Sequence, residues 1–305
     1  MNSRWLKPMA ILLALPLVVA GCTYAVSELL LNRVYHIPDD NLTIPTDPAA
    51  IERGRHLVET IGACQDCHGP YLSGDIEFDD PYLGTLAAPN LTPGQGGIGE
   101  LYTDADWERS IRHGVGRDGR PLLGVSAIVL HQLSDEDVAA IIAYLKTLPA
   151  RGRQTPPRRI GPLARPLMIL FAGEVLPALS IDHDAPPPPT VKPDISIEYG
   201  RYLVSIACVE CHGDDLSGGN DPGEGMNITT GGNLGRWTEA EFIHTIRTGR
   251  TPDGDWLDRS EGGFPQRRLG RLTDHELRAI WLYIHSLPPV QKQTVRSAEA
   301  TRAVP

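Results

Sequence analysis

Two short stretches carry the residue types most able to do chemistry: Cys64-Gln-Asp-Cys67-His68 and Cys208-Val-Glu-Cys211-His212. Two thiols three positions apart at the start of a helix can reach the two vinyl groups along one edge of a porphyrin. The adjacent imidazole then swings beneath the iron. This spacing points to two covalently attached haem c groups, held by Cys64, Cys67, Cys208 and Cys211, with His68 and His212 as proximal iron ligands. Cys-x-x-Cys alone also marks a redox dithiol or half of a zinc site. The histidine after each pair favours haem. So do the lack of further paired Cys or His and the lack of a βαβ context.

The elements that must position these groups occur twice, at an offset of about 140 residues. Gly54-Arg-His-Leu-Val58 answers to Gly200-Arg-Tyr-Leu-Val204, each just before a cysteine pair. Thr103-Asp-Ala-Asp106 and Thr238-Glu-Ala-Glu241 then open short helices as capping boxes, which run to Gly114 and Gly249. Ser134-Asp-Glu-Asp137 and Thr273-Asp-His-Glu276 open the last helix of each copy. Val138, Ile141, Ile142 and Leu145 follow helical spacing, as do Leu277, Ile280, Trp281 and Ile284, so each of these helices has one face to bury. No convincing alternating strand is found, and the expected class is all-α.

The boundaries follow: one domain over residues 45–150, a second over 194–290, and a tail over 291–305. Residues 151–193 hold the run Pro186 to Pro189 among many other prolines and read as an extended linker. Its apolar stretch Leu163 to Leu179 reads as filler strapped across a domain, or else as a contact for a membrane or a partner. Of the formal charge of −10, residues 46–150 carry about −9 and 194–290 about −6, while 151–193 carries about +3. Acidic domains argue against nucleic acid and favour basic docking partners.

Residues 1–30 read as a signal peptide or membrane anchor. Arg4 and Lys7 precede an uncharged run from Met9 to Val26, close to the length of a bilayer span. The basic end stays inside, so the bulk of the chain faces the periplasm. Val19-Ala-Gly-Cys22 resembles a lipoprotein cleavage box, which makes the fifth cysteine, Cys22, a candidate for lipidation.

With these residues in view, both halves resemble class I cytochrome c domains, and the whole resembles di-haem cytochrome subunits of bacterial membrane-bound dehydrogenases. The resemblance rests on the two Cys-x-x-Cys-His sites, Ala88-Pro-Asn-Leu-Thr-Pro93, the turn from Arg112 to Gly119, and Leu133-Ser-Asp-Glu-Asp137 leading to Tyr144-Leu145. It implies that the first and last helices of each domain cross with a glycine against an aromatic ring, Gly54 with Tyr144 and Gly200 with Tyr283. It also implies periplasmic electron transfer between a dehydrogenase or quinol donor and a respiratory acceptor. An open-site, peroxidase-like haem enzyme and a haem-based sensor or docking subunit are the alternatives.

The chain departs from the pattern in one respect. The family supplies a methionine as sixth iron ligand from the loop before the last helix, and neither Arg120 to Gln132 nor Asp255 to Leu272 contains one. In the first domain His131 stands in that loop as a possible sixth ligand. In the second the alternatives are Met226, His244, His275, His183 or an open iron.

Overall fold

The computed structural model describes residues 6–124, 127–218, 225–257 and 268–291, with side chains from residue 14 onward. Val125-Ser126, Glu261-Gly-Gly263 and most of the C-terminal tail lie outside the described residues. The chain divides into two compact units. The first comprises residues 1–51, 64–131 and 138–186; the second comprises 52–63, 132–137 and 187–305.

In the first unit, α1 (Leu6–Leu31) is followed by the start of α2 (Pro48–Glu59), then α3 (Cys64–His68), α4 (Asp104–His113), α5 (Ala127–Leu130) and most of α6 (Asp135–Leu145). The capping box at Thr103 forms: its hydroxyl accepts from the Asp106 amide while Asp106 accepts from the Thr103 amide at 3.0 Å. Gly114, at φ 63°, ends α4 in the left-handed region where a side chain would be strained. Val138, Ile141, Ile142 and Leu145 are all buried, as their spacing predicts.

The all-α expectation is corrected by a small antiparallel sheet, in the order β1 (Asp75–Asp80), β2 (Gly84–Ala88), β3 (Arg159–Ile160). Its hairpin turn is set by Asp80, whose carboxylate accepts from the Tyr82 and Leu83 amides at 2.7 and 2.8 Å. At Gly84, φ is 107°, and a Cβ would lie 2.6 Å from the Gly161 nitrogen, so only glycine lets β3 approach. Residues 76–79 are mostly exposed, so no buried apolar alternation marked this strand in the sequence.

The reading of 151–193 as an extended spacer is also corrected, because much of it packs in the first unit. Beyond β3 come α7 (Ala164–Leu170), α8 (Ala172–Val175) and a 3₁₀ turn at Pro177–Leu179. Met168 and Leu176 are buried together with Leu31, which makes part of the apolar stretch the expected filler.

The second unit is built on α9 (Ile197–Ala207) and α12 (Asp274–Ser286), with α10 (Val209–His212) and α11 (Glu239–Thr248) between them. Here the expected crossing is present. A Cβ on Gly200 would lie 2.8 Å from Tyr283 Cβ and closer still to the Ala279 carbonyl, so glycine is what lets the two backbones meet. Leu277, Ile280 and Ile284 are buried, while Trp281 is half-buried and sits 5.6 Å from Phe242 between ring centroids.

The same unit holds a buried polar cluster. Arg53 donates from two nitrogens to Asp137, both at 2.9 Å, and pairs with Glu276 at 3.2 Å. Tyr202 donates to Asp137 at 2.7 Å, and Tyr199 to Glu276 at 3.2 Å. His56 Nε2 lies 2.8 Å from Glu276. Burial opposes ionisation of Glu276, but His56, the Thr273 amide and Arg53 together hold its carboxyl down at about 2.

The expected capping boxes at Thr238 and Thr273 form, while the cluster leaves the one at Ser134 only half made. Asp137 still donates its amide to Ser134 Oγ at 3.3 Å. Its carboxylate is turned to Arg53 and Tyr202, and the Ser134 amide donates instead to the Tyr202 hydroxyl at 3.1 Å.

Candidate haem-binding sites

In the first unit, α3 carries Cys64 and Cys67 one turn apart, with His68 as its last residue. Gly69, at φ 72°, ends the helix, and the chain folds back so that the Gly74 amide donates to the His68 carbonyl at 2.9 Å. His68 Nδ1 donates to the Pro89 carbonyl at 2.7 Å. A carbonyl can only accept, so the proton sits on Nδ1 and the Nε2 lone pair is left for a metal. Burial lowers the imidazole pKa, which keeps the ring in the neutral form that ligates.

The Pro89 carbonyl is itself held in place. The Asn90 side-chain amide donates to the Arg151 carbonyl at 2.7 Å, and its oxygen accepts from the Thr92 amide and hydroxyl at 2.9 and 2.8 Å. The loop under the histidine is thus tied to the segment that follows α6.

The second unit repeats this arrangement. α10 ends in Cys211-His212, and Cys208 caps its start. His212 Nδ1 donates to the Met226 carbonyl at 2.7 Å. Asn227 donates to the Val290 carbonyl at 2.8 Å and accepts from the Thr229 amide and hydroxyl at 2.9 and 2.8 Å. Burial lowers the His212 pKa and pushes the Cys208 thiol up to about 12. Gly225 packs against the His212 ring so closely that a Cβ would collide with it.

The Asn-x-Thr pairs, Asn90 with Thr92 and Asn227 with Thr229, are functional residues whose role sequence reasoning missed. The recurring Asn-x-Thr after each cysteine motif was the signal available. Met226 works through its backbone oxygen, while its sulfur faces Asn233 Nδ2 at 3.2 Å.

Other expected site residues fall as follows. His183 belongs to the first unit, where its Nδ1 lies 3.0 Å from His113 Nδ1 and its Nε2 donates to the Ala178 carbonyl at 3.0 Å. His244 and His275 lie on α11 and α12. His131 follows α5 in the first unit and is half-buried; burial first, then His113, Arg112 and His183, lower its pKa. Cys22 is exposed within α1. Among the described residues no three His, Cys, Asp or Glu assemble as a protein-only metal cage.

Both sets of residues fit a c-type haem: paired thiols one turn apart, and an imidazole whose outer nitrogen is bare because its inner one is clamped. When bound, that group supplies one-electron iron chemistry, while the chain supplies covalent attachment, a fixed imidazole tautomer and burial.

Comparison with known proteins agrees. Residues 51–149 match the family Cytochrome c, and residues 196–284 match the family Cytochrome C oxidase, cbb3-type, subunit III. The "Alcohol dehydrogenase (quinone), cytochrome c subunit" of Gluconacetobacter polyoxogenes is 29% identical over 292 residues, covering 81% of this chain and 58% of that protein. The "Gluconate 2-dehydrogenase cytochrome c subunit" of Pantoea cypripedii is 27% identical, over 78% of this chain and 60% of that protein. A "Diheme cytochrome c-type" protein of Cereibacter sphaeroides is 34% identical over 32% of this chain and 36% of that protein. The chain thus spans less than two thirds of the length of the dehydrogenase subunits it matches. With one cytochrome c domain over residues 51–149 and another over 196–284, this chain belongs to the di-haem c-type cytochromes, which carry electrons on covalently bound haem.

Proposed function

We propose that this chain is a membrane-tethered, periplasmic electron-transfer subunit that takes electrons from a dehydrogenase or quinol donor and delivers them to a respiratory acceptor. One haem is attached at Cys64 and Cys67 with His68 beneath it, and the other at Cys208 and Cys211 with His212 beneath it. His131 is the sixth ligand of the first iron. Burial of its half-buried ring lowers its pKa and favours the neutral form, and it stands where the family places a methionine. Tethering is through α1, whose residues 14–31 are long and apolar enough to cross a bilayer, or through lipid on Cys22.

The observation that carries this reading is the duplicated clamp: an imidazole Nδ1 donating to a carbonyl at 2.7 Å, directly after a Cys-x-x-Cys, in each unit. A carrier needs fixed, buried, individually tuned haems, and clamped ligands provide them. The similarity to subunits of quinone-dependent alcohol and gluconate dehydrogenases supports a dehydrogenase as donor. The test is a potentiometric titration followed by low-temperature electron paramagnetic resonance on the purified di-haem chain. Two one-electron waves with a low-spin, bis-imidazole signal for the first haem are expected. A high-spin ferric signal with peroxide turnover would instead identify an open-site enzyme.

A further inference from the structure

α7 has two unlike sides. Met168 is only 3% exposed, packed with Leu31 and Leu176. Leu163, Leu167, Leu170 and Phe171 are 55%, 49%, 73% and 45% exposed. Their positions run i, i+4, i+7, i+8, so they form one continuous stripe along a helical surface. Four large apolar side chains in line, facing outward, are more than the scattered surface leucines of a soluble protein.

The place of this stripe indicates what covers it. α7 is fastened to the last turns of α1: Arg165 pairs with Glu28 at 2.8 Å, bonds Ser27 Oγ, and lies 3.9 Å from the centroid of the Tyr24 ring. α1 itself leaves Leu17, Val18, Val26 and Leu29 exposed. A tyrosine, a serine and an Arg–Glu pair at the end of an apolar helix are the groups that suit the headgroup layer. The surrounding segment, residues 151–193, carries about +3 between two acidic domains, which favours anionic lipid.

We infer that residues 163–171 form a foot that lies in the outer interface of the bilayer beside α1, with the apolar stripe among the acyl chains of anionic phospholipid. This rests on the membrane-tethered reading above, and it adds a second contact that holds the first haem unit against the membrane instead of letting it swing on a single tether. The inference holds for either anchor. If Cys22 is the lipidated N-terminus, its acyl chains enter the bilayer two residues before Tyr24, at the same face.

The test places the photo-crosslinking residue p-benzoylphenylalanine at Phe171, at Val26 or at Leu101, one position at a time. The full di-haem chain is used in membranes of phosphatidylethanolamine and phosphatidylglycerol, and its visible spectrum reports folding. Val26 lies in α1 beyond Cys22, and Leu101, 57% exposed in the first unit, is the water-facing control. After irradiation, phospholipid adducts are counted by mass spectrometry. Adducts at Phe171 should match those at Val26 within about threefold and exceed those at Leu101 by about tenfold or more. Adducts at Val26 with none at Phe171 would overturn the foot and leave the tether standing. Protein adducts at Phe171 would overturn it in favour of a protein partner, and no lipid at either position would remove both the foot and the tether.

Discussion

The two haem sites share a skeleton and differ in what is built over it. In each, a cysteine pair is followed by a histidine that donates to a loop carbonyl, and an Asn-x-Thr ties that loop to the chain beyond the last helix. Asn90 reaches 61 residues ahead to Arg151, and Asn227 reaches 63 ahead to Val290. Between histidine and clamping carbonyl, however, the first site has 21 positions and the second 14. In the first site this interval holds the β1–β2 hairpin, which β3 from the following segment extends. The machinery that orients the imidazole is thus held constant, while the length of chain between histidine and clamping carbonyl differs.

The sharpest way to break this comparison is to remove one attachment at a time. Replacing Cys64 and Cys67 by alanine, or Cys208 and Cys211, should each lower the haem content from two per chain to one, measured by pyridine haemochrome absorbance. If either double variant retained both haems, the equivalence of the sites would fail.

The next effect concerns the last helices. Glu276 both caps α12 and binds His56 and Arg53, whereas Asp137 gives up the reciprocal cap for Arg53 and Tyr202. The folded pKa of Glu276, about 2, lies below its unfolded value of 4.5. Its contribution, on the order of 3 kcal/mol, is therefore complete above about pH 4.5 and declines as the pH falls toward 2. Glu276→Gln should lower stability by a similar amount at pH 7, and the gap between variant and parent should close below about pH 3 in acid denaturation followed by circular dichroism.

Asn90→Ala and Asn227→Ala probe the shared skeleton itself. Each leaves buried partners unsatisfied and should destabilise its own unit by about 1–3 kcal/mol. Each should also shift the reduction potential of the haem in the same unit, since the clamped imidazole loosens. Denaturant titration with potentiometry checks both, and similar losses at the two positions are expected. A marked loss at only one would show that the hairpin, not the clamp, orients the histidine. The smallest effect is at the short helices, where Thr103→Ala and Thr238→Ala should each cost about 1 kcal/mol in thermal unfolding, with no change in haem spectrum.

How far each feature could be read from the sequence depends on the range of the interaction behind it. Cysteine and histidine spacing, the caps at Thr103, Thr238 and Thr273, and the buried faces of α6 and α12 follow from local geometry and were legible, whereas the close approach at Gly200 was expected only from the resemblance to cytochrome c domains. The half-made cap at Ser134 was not legible. Its carboxylate is claimed by Arg53, 84 residues earlier, and by the Tyr202 hydroxyl, 65 residues later. Nor was the hairpin, whose exposed side chains give no alternating buried pattern, or β3, a two-residue strand inside what reads as a proline-rich spacer.

By itself, then, the order of residues determined that this chain attaches porphyrin iron twice and repeats one helical unit to do so, because those are matters of bond reach and helical period. Only the tertiary structure decided which carbonyl orients each imidazole, where residues 151–179 pack, and that α7 turns an apolar stripe outward beside α1. Those outcomes are set by contacts between residues far apart in the chain, and no local pattern encodes them.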